Sequence, residues 1–262
     1  MFSSILSLYI SLIAFSSQNA LWAKPLHIPQ WPFSMPASVM VTAQKPAATE
    51  TKKIVPEKLV DLGITLHHQI YTLSCEAASL QMALEYKGIS KTQDQILEQI
   101  GVSQPYKSYY KDGTMIWGDP NLGFVGNVSG LFSTPDAGMY GATGWGVNKD
   151  PIARVAQSYR PASEAFTGFT TKDVIRELDA GNPLVFWHVP DSYAAGSINY
   201  QTPEGKTIRF FRNHVAVISG YKIVDGSTFF LISDPLYGEY TLTESTLARR
   251  MAKYDGDVVV VR

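Results

Sequence analysis

The chain has 262 residues, of which 45% are hydrophobic and 17% charged, and a formal net charge of -1. That balance is ordinary for a globular protein, and near-neutrality gives no reason to expect nucleic acid or an anionic membrane surface as a partner. No basic run, Walker loop or dinucleotide fingerprint occurs, so the usual nucleotide-binding motifs are excluded.

The first 23 residues contain an apolar run from about Ile5 to Phe15, then small and polar residues with Ala20 and Ala23 as candidate cleavage points. This resembles an export signal, although no Lys or Arg precedes the run. The alternative is an uncleaved anchor, and membrane proximity is expected only in that case. No cysteine follows the run, which excludes a lipid-modified N-terminal cysteine. Residues 24–56 hold six of the 15 prolines and no sustained period, the pattern of an extended linker or arm. A globular domain is expected over residues 57–262.

Residues 58–69 read as an extended lead-in. A helix is predicted from Cys75 to Lys87, capped by Ser74, with Ala77, Leu80 and Leu84 at helical spacing and Gly88 as the stop. A second helix covers Thr92–Ile100, where Thr92 and Gln95 fit a capping box. Residues 103–149 are rich in Gly, Tyr, Trp and Ser without a lasting period. They read as a long structured loop, which inside a compact domain is usually functional. Asp150-Pro151 opens a helix to about Tyr159, and another spans about Lys172–Ala180. PLVFWHV at 183–189 reads as a buried strand and 190–206 as a polar loop. HVAVISGYKIV, Asp225-Gly226 and STFFLISD form a hairpin. A short helix at Glu244–Lys253 and the strand DVVVV close the chain. Helices early and strands late indicate an α+β class.

Cys75 is the sole cysteine. Exported proteins often pair their cysteines as disulfides, so a lone one is either a buried small hydrophobe or a reactive thiol. Placement at a helix start should lower its pKa. Among five histidines, His214 opens an apolar strand, and Asp234 ends the partner strand, where a carboxylate can orient an imidazole. A strict two-residue turn at Asp225-Gly226 would put Asp234 and His214 on opposite faces. Their cooperation therefore requires an odd loop or a β-bulge. Gln69, six residues before Cys75, could donate to an oxyanion together with the Cys75 N–H. No metal or cofactor is expected: His67 and His68 point to opposite faces of an extended segment, and no second cluster has ligand spacing. His188 reads as a core or strand-edge histidine and Asp119 as a turn residue.

The order Gln69, Cys75 on a helix start, His214 on a strand and then Asp234 resembles the papain-like cysteine peptidases; QIYTLSCEAASLQMALEYKG is similar to the Gln-x5-Cys helix of a narrower group, and WGDPNLGFVG, YGATGWGV, NHVAVISGY and SDPLYG resemble later blocks of its free-standing members. The closer resemblance is to the bacteriocin-processing (double-glycine) peptidase group and its free-standing bacterial relatives, over roughly residues 58–262. The resemblance implies an α+β papain-like fold, with a helical half carrying the Cys packed on a twisted antiparallel sheet carrying His and Asp. It implies Cys75 as nucleophile, His214 as general base and acid, Asp234 as orienting residue and Gln69 as oxyanion donor. It also implies a substrate cleft lined by the Gly/aromatic region, with Trp117, Gly144, Trp145 and Gly146. The activity expected is that of an exported cysteine peptidase, periplasmic, envelope-bound or extracellular, acting on a protein or peptide. A transpeptidase or acyl transferase of the same fold and a non-catalytic peptide-binding module are the alternatives. The segment IYTLS between Gln69 and Cys75 departs from the proline-rich lead-in frequent among the relatives, which leaves the approach of Gln69 open. The transporter segments of the fused members are absent, so their maturation role is not implied.

Overall fold

The computed structural model describes residues 55–193 and 196–262; the expectations for residues 1–23 and for 24–54 of the arm lie outside them. In chain order the elements are β1 (Lys58–Asp61), α1 (Cys75–Tyr86), α2 (Gln93–Ile100), β2 (Val102–Gln104), β3 (Ser108–Tyr109), β4 (Met115–Ile116), β5 (Phe124–Gly126) and β6 (Gly144–Gly146). They continue with α3 (Lys149–Tyr159), β7 (Glu164–Phe166), α4 (Thr171–Asp179), β8 (Leu184–His188), β9 (Ser197–Gln201), β10 (Thr207–Phe211), β11 (His214–Val224), β12 (Ser227–Asp234), β13 (Gly238–Thr243), α5 (Glu244–Ala252) and β14 (Val258–Val260). Among the described residues no helix is long and apolar enough to cross a membrane.

The main sheet runs β13-β12-β11-β8-β14-β7, with β1 beside β11, and every pairing in it is antiparallel. Strand alternation sorts its side chains into two layers. Val185, Trp187 and Val215 face Ala77, Leu80 and Leu84 of α1 and the apolar sides of α2 and α3. Phe186, Ala216, Ile218 and Val258 face Val174 and Leu178 of α4 and Leu247 and Met251 of α5. The sheet is thus covered on both faces, and each fully buried Leu or Phe contributes about 1.5–3 kcal/mol through burial. This is the mixed α+β, papain-like architecture expected from the sequence.

Local chemistry explains the helix ends. Thr92 accepts from the Gln95 N–H, and Gln95 reaches back to Thr92, completing the predicted box. Thr170 and Asp173 form a second one at the start of α4. Ser74 does not cap α1 with its side chain; its hydroxyl is engaged with the Tyr71 backbone and Gln93. The region 103–149 is not one loop. It holds β2–β6, which join two small sheets, β10-β9-β4-β3 and β2-β5-β6. The polar loop at 190–206 likewise contains β9 and leads into its partner β10. Strands of two or three residues are too short to show a period.

Candidate active site

The hairpin of β11 and β12 sets the geometry. Asp225 and Gly226 have φ of 48° and 70°, both left-handed, and Val224 faces Ser227. This is the strict two-residue turn that alone would turn Asp234 away from His214. The register shifts, however, between Ile218 and Gly220, with Ser219 as the extra residue. Beyond this bulge Val217 faces Ser233, which returns Asp234 to the face of His214. The bulge falls where β8, paired with His214–Ile218, gives way to β1, whose Asp61 faces Gly220. A Cβ on Gly220 would collide with the Val60 carbonyl oxygen.

The His214 Nε2 and Asp234 Oδ1 atoms lie 2.7 Å apart, with side chains 3% and 0% exposed. The same oxygen accepts the N–H groups of Leu236 at 2.8 Å and Tyr237 at 3.0 Å, and Oδ2 accepts the Tyr240 hydroxyl at 3.0 Å. Burial pushes the Asp234 pKa up, but the hydrogen bond and charge of His214 and the two N–H groups outweigh it and hold the carboxyl below its usual range. The exposed Tyr237 ring meets the His214 ring edge-on at 5.5 Å, and its hydroxyl lies 3.5 Å from that of Tyr193.

Cys75 is the first residue of α1 and is half-buried. The helix crosses β11: the Ser79 hydroxyl donates to the Val215 carbonyl at 3.3 Å, and the Val215 N–H faces the Cys75 sulfur. The field of Asp234 reaches Cys75, and that of His214 reaches Glu76. The thiol itself donates to Glu76 Oε2 at 3.4 Å. Glu76, 3% exposed, accepts the Val147 N–H on Oε1 at 3.0 Å. Burial, and then the Glu76 carboxyl, hold the Cys75 thiol well above its ordinary range. The direction is opposite to the lowering expected from the helix start: burial and the neighbouring carboxylate both disfavour the thiolate.

Gln69 is anchored before Cys75 by its N–H, which donates to the Pro235 carbonyl at 3.0 Å. Its side-chain Nε2 donates to the carbonyls of Tyr71 at 2.9 Å and Thr72 at 3.0 Å, while Oε1 is buried without a partner. The amide is therefore spent on its own loop in this arrangement, and donation to an oxyanion requires it to turn.

The expected cleft residues are placed differently. Trp117 is 0% and Trp145 7% exposed, and both pack against Tyr200 and Phe210 in the core of the small sheets. Their apolar bulk is buried there at the cost of two indole N–H groups left without partners, so both rings form the core of the small sheets and are not open to a substrate. Gly144 and Gly146 are buried too: a Cβ on Gly144 would meet the Leu73 side chain, and one on Gly146 would run into the Glu76 carboxylate.

His188 is fully buried with both ring nitrogens unpartnered. It stacks on Phe186 at 4.6 Å and faces His214 edge-on at 5.5 Å; burial, and then the charge of His214, push its pKa down to about 3. The sequence places it in the core but gives no sign of its neighbour. His188, His214 and Asp234 have ligand-type atoms within 4.8 Å of one another, a spacing that could hold a metal ion, although His214 and Asp234 already bond each other. Asp119 is a turn residue as read, accepting from Asn121 and pairing with Lys206 at 3.1 Å. His67 pairs with Glu85, and the His68 ring meets the Pro235 carbonyl. Glu76 and Tyr240 were not singled out by sequence; the one signal for Glu76 is its position directly after the lone cysteine.

A helix that opens on a cysteine, laid across a sheet whose strand mouth holds a buried imidazole–carboxylate pair, defines the papain-like class. Within that class the chain belongs to the Peptidase_C39-like family, whose model matches residues 62–256. The uncharacterized protein YvpB of Bacillus subtilis (strain 168) is 27% identical over 225 residues, covering 82% of this chain and 80% of that protein. A crystal structure of a protein described as C39-like peptidase from Bacillus anthracis superposes with a TM-score of 0.62 at 21% identity, over 79% of this chain and 98% of that one. A double-glycine-motif protease from an AMS/PCAT transporter, solved with its leader peptide, gives a TM-score of 0.40 at 14% identity, over 77% of this chain and 91% of that one.

Proposed function

We propose that the chain is an exported cysteine peptidase that cleaves peptide or isopeptide bonds with Cys75, His214 and Asp234. The observation that carries this reading is the 2.7 Å His214–Asp234 pair at the mouth of β11, the strand that α1 crosses with Cys75 at its first turn. Because Nε2 is engaged by Asp234, Nδ1 is the nitrogen that takes the thiol proton. The sulfur then attacks the carbonyl carbon, and the Cys75 N–H, one of the first-turn donors without an intrahelical partner, stabilises the oxyanion. His214 returns the proton to the leaving amine as the C–N bond breaks, and water hydrolyses the thioester. Asp234 fixes the ring through one hydrogen bond and is itself held by three others, from Leu236, Tyr237 and Tyr240. Gln69 joins the oxyanion site by releasing the Tyr71 and Thr72 carbonyls. Membership of the Peptidase_C39-like family supports the chemistry, and the apolar run at residues 5–15 supports export.

The test is a cleavage-site profile of the purified protein on a peptide library, beside Cys75→Ala. The variant should fold with an unchanged melting temperature and lose turnover completely. Hydrolysis that persists in folded Cys75→Ala removes the reading. Amine adducts formed with added nucleophiles would identify a transpeptidase in place of a hydrolase.

A further inference from the structure

Glu76 directly follows Cys75 at the start of α1. Glu76 is 3% exposed, and its two carboxyl oxygens do different things. Oε1 accepts the Val147 N–H at 3.0 Å, and Oε2 accepts the Cys75 thiol at 3.4 Å. The segment on the far side is shaped around it: Gly146 has φ of 142° and no room for a Cβ beside the carboxylate. That segment is itself fixed to the sheet, because the Val147 carbonyl accepts the Trp187 indole N–H at 3.1 Å. Glu76 is therefore an oriented group in a cage made for it, not a surface charge folded inward.

We propose that Glu76 is the resting acceptor of the Cys75 proton, so that its charge state governs whether the thiolate–imidazolium pair forms. This rests on Cys75 acting as the nucleophile. In the charged form the carboxylate holds the S–H proton and opposes a thiolate a few ångströms away. Turning the sulfur to His214 breaks the S–H bond, forms an N–H bond at Nδ1, and leaves two anions side by side. With Glu76 protonated, its O–H becomes a donor to the sulfur, and the same transfer is favoured. The other titratable groups acting on these two residues are His214 from β11, Asp234 from β12, Tyr193 after β8 and Tyr254 after α5. The Tyr254 hydroxyl is engaged by Asn148 at 2.7 Å. Burial raises the Glu76 pKa against the opposing Val147 N–H, the Cys75 thiol and the charge of His214.

Glu76→Gln separates charge from shape. The amide oxygen still accepts the Val147 N–H, and the amide N–H imitates the protonated acid. The experiment is the rate of iodoacetamide labelling against pH for the full chain and for Glu76→Gln, which reads one atom because the chain has a single cysteine. The midpoint should move down by at least about one pH unit in the variant, with the melting temperature nearly unchanged. A folded variant whose midpoint coincides with the wild type overturns the proposal. A second measurement covers a variant that does not fold: the Glu76 carboxyl is titrated by isotope-edited NMR in the wild type and in Cys75→Ala. Coupled groups shift each other, so an unmoved Glu76 midpoint also overturns it. Neither readout needs turnover, so failure of the peptidase reading shows separately, in the cleavage assay.

Discussion

Replacing His188 with leucine tests how the buried imidazole behind His214 affects stability. In the fold its two nitrogens are sealed without partners and its pKa is pushed down to about 3, whereas an unfolded chain takes up that proton near pH 6.5. Between those values the unfolded state binds more protons than the folded one. Stability must therefore rise with pH through this window and be complete above about pH 6.5. One proton gives a slope of about 1.4 kcal/mol per pH unit, so this residue alone removes about 3 kcal/mol between pH 6.5 and 4. At pH 7, His188→Leu loses the stack on Phe186 but relieves two unsatisfied nitrogens, each costing about 1–3 kcal/mol, and its stability should stay within about 1 kcal/mol of the wild type or exceed it. Below pH 6.5 the stability difference should shift in favour of the variant by about 1.4 kcal/mol per unit. Urea denaturation at pH 7, 6, 5 and 4, followed by tryptophan fluorescence with m-values compared, measures this directly. Carboxylates remote from His188 titrate alike in both proteins and cancel in the difference; Asp234 and Asp191, whose charges act on His188, contribute a smaller change of their own. Stability curves that stay parallel from pH 7 to 4 would refute the reasoning.

Tyr240→Phe removes one hydrogen bond to a buried carboxylate, worth about 1.5–3 kcal/mol, and leaves Asp234 three partners. The variant should lose stability by that order and lower kcat several-fold with little change in KM, as measured by denaturation and steady-state kinetics. Gly220→Ala drives a Cβ into the Val60 carbonyl and should cost about 2–3 kcal/mol, with hydrogen exchange accelerating in residues 58–61 before the rest of the sheet. Cys75→Ala and Glu76→Gln, described above, test the chemistry.

Much of this fold is written in periodicities long enough to read. The run Ala77–Leu80–Leu84, the Thr92/Gln95 box and the Asp225-Gly226 turn each carry a local cause, and the structure shows each of them. Counting residues between His214 and Asp234 gave a choice, an odd-numbered loop or a bulge; the turn has two residues, so the bulge is the one realised, and its place at Ser219 was not legible. That depended on β1 replacing β8 along one edge of β11, a contact between residues far apart in sequence. The short strands β2–β6 left no period, and their Gly and Trp content resembled a binding loop; Trp117 and Trp145 instead form a small core of their own. Glu76 was hidden for another reason. An acidic residue in the first turn of a helix normally lies in solvent, favoured by the dipole, and only the folded Gly146–Val147 segment encloses it. The same enclosure reverses the expected direction of the Cys75 pKa.

Oxidants and disulfides react with sulfur through its anion. A half-buried thiol whose ionisation is opposed by burial and an adjacent carboxylate should be slow to become a sulfenic acid or a mixed disulfide. This chain also has no second cysteine to resolve either product. Two consecutive residues, Cys75 and Glu76, thus give the resting sulfur a chemical durability that a permanently ionised nucleophile would lack.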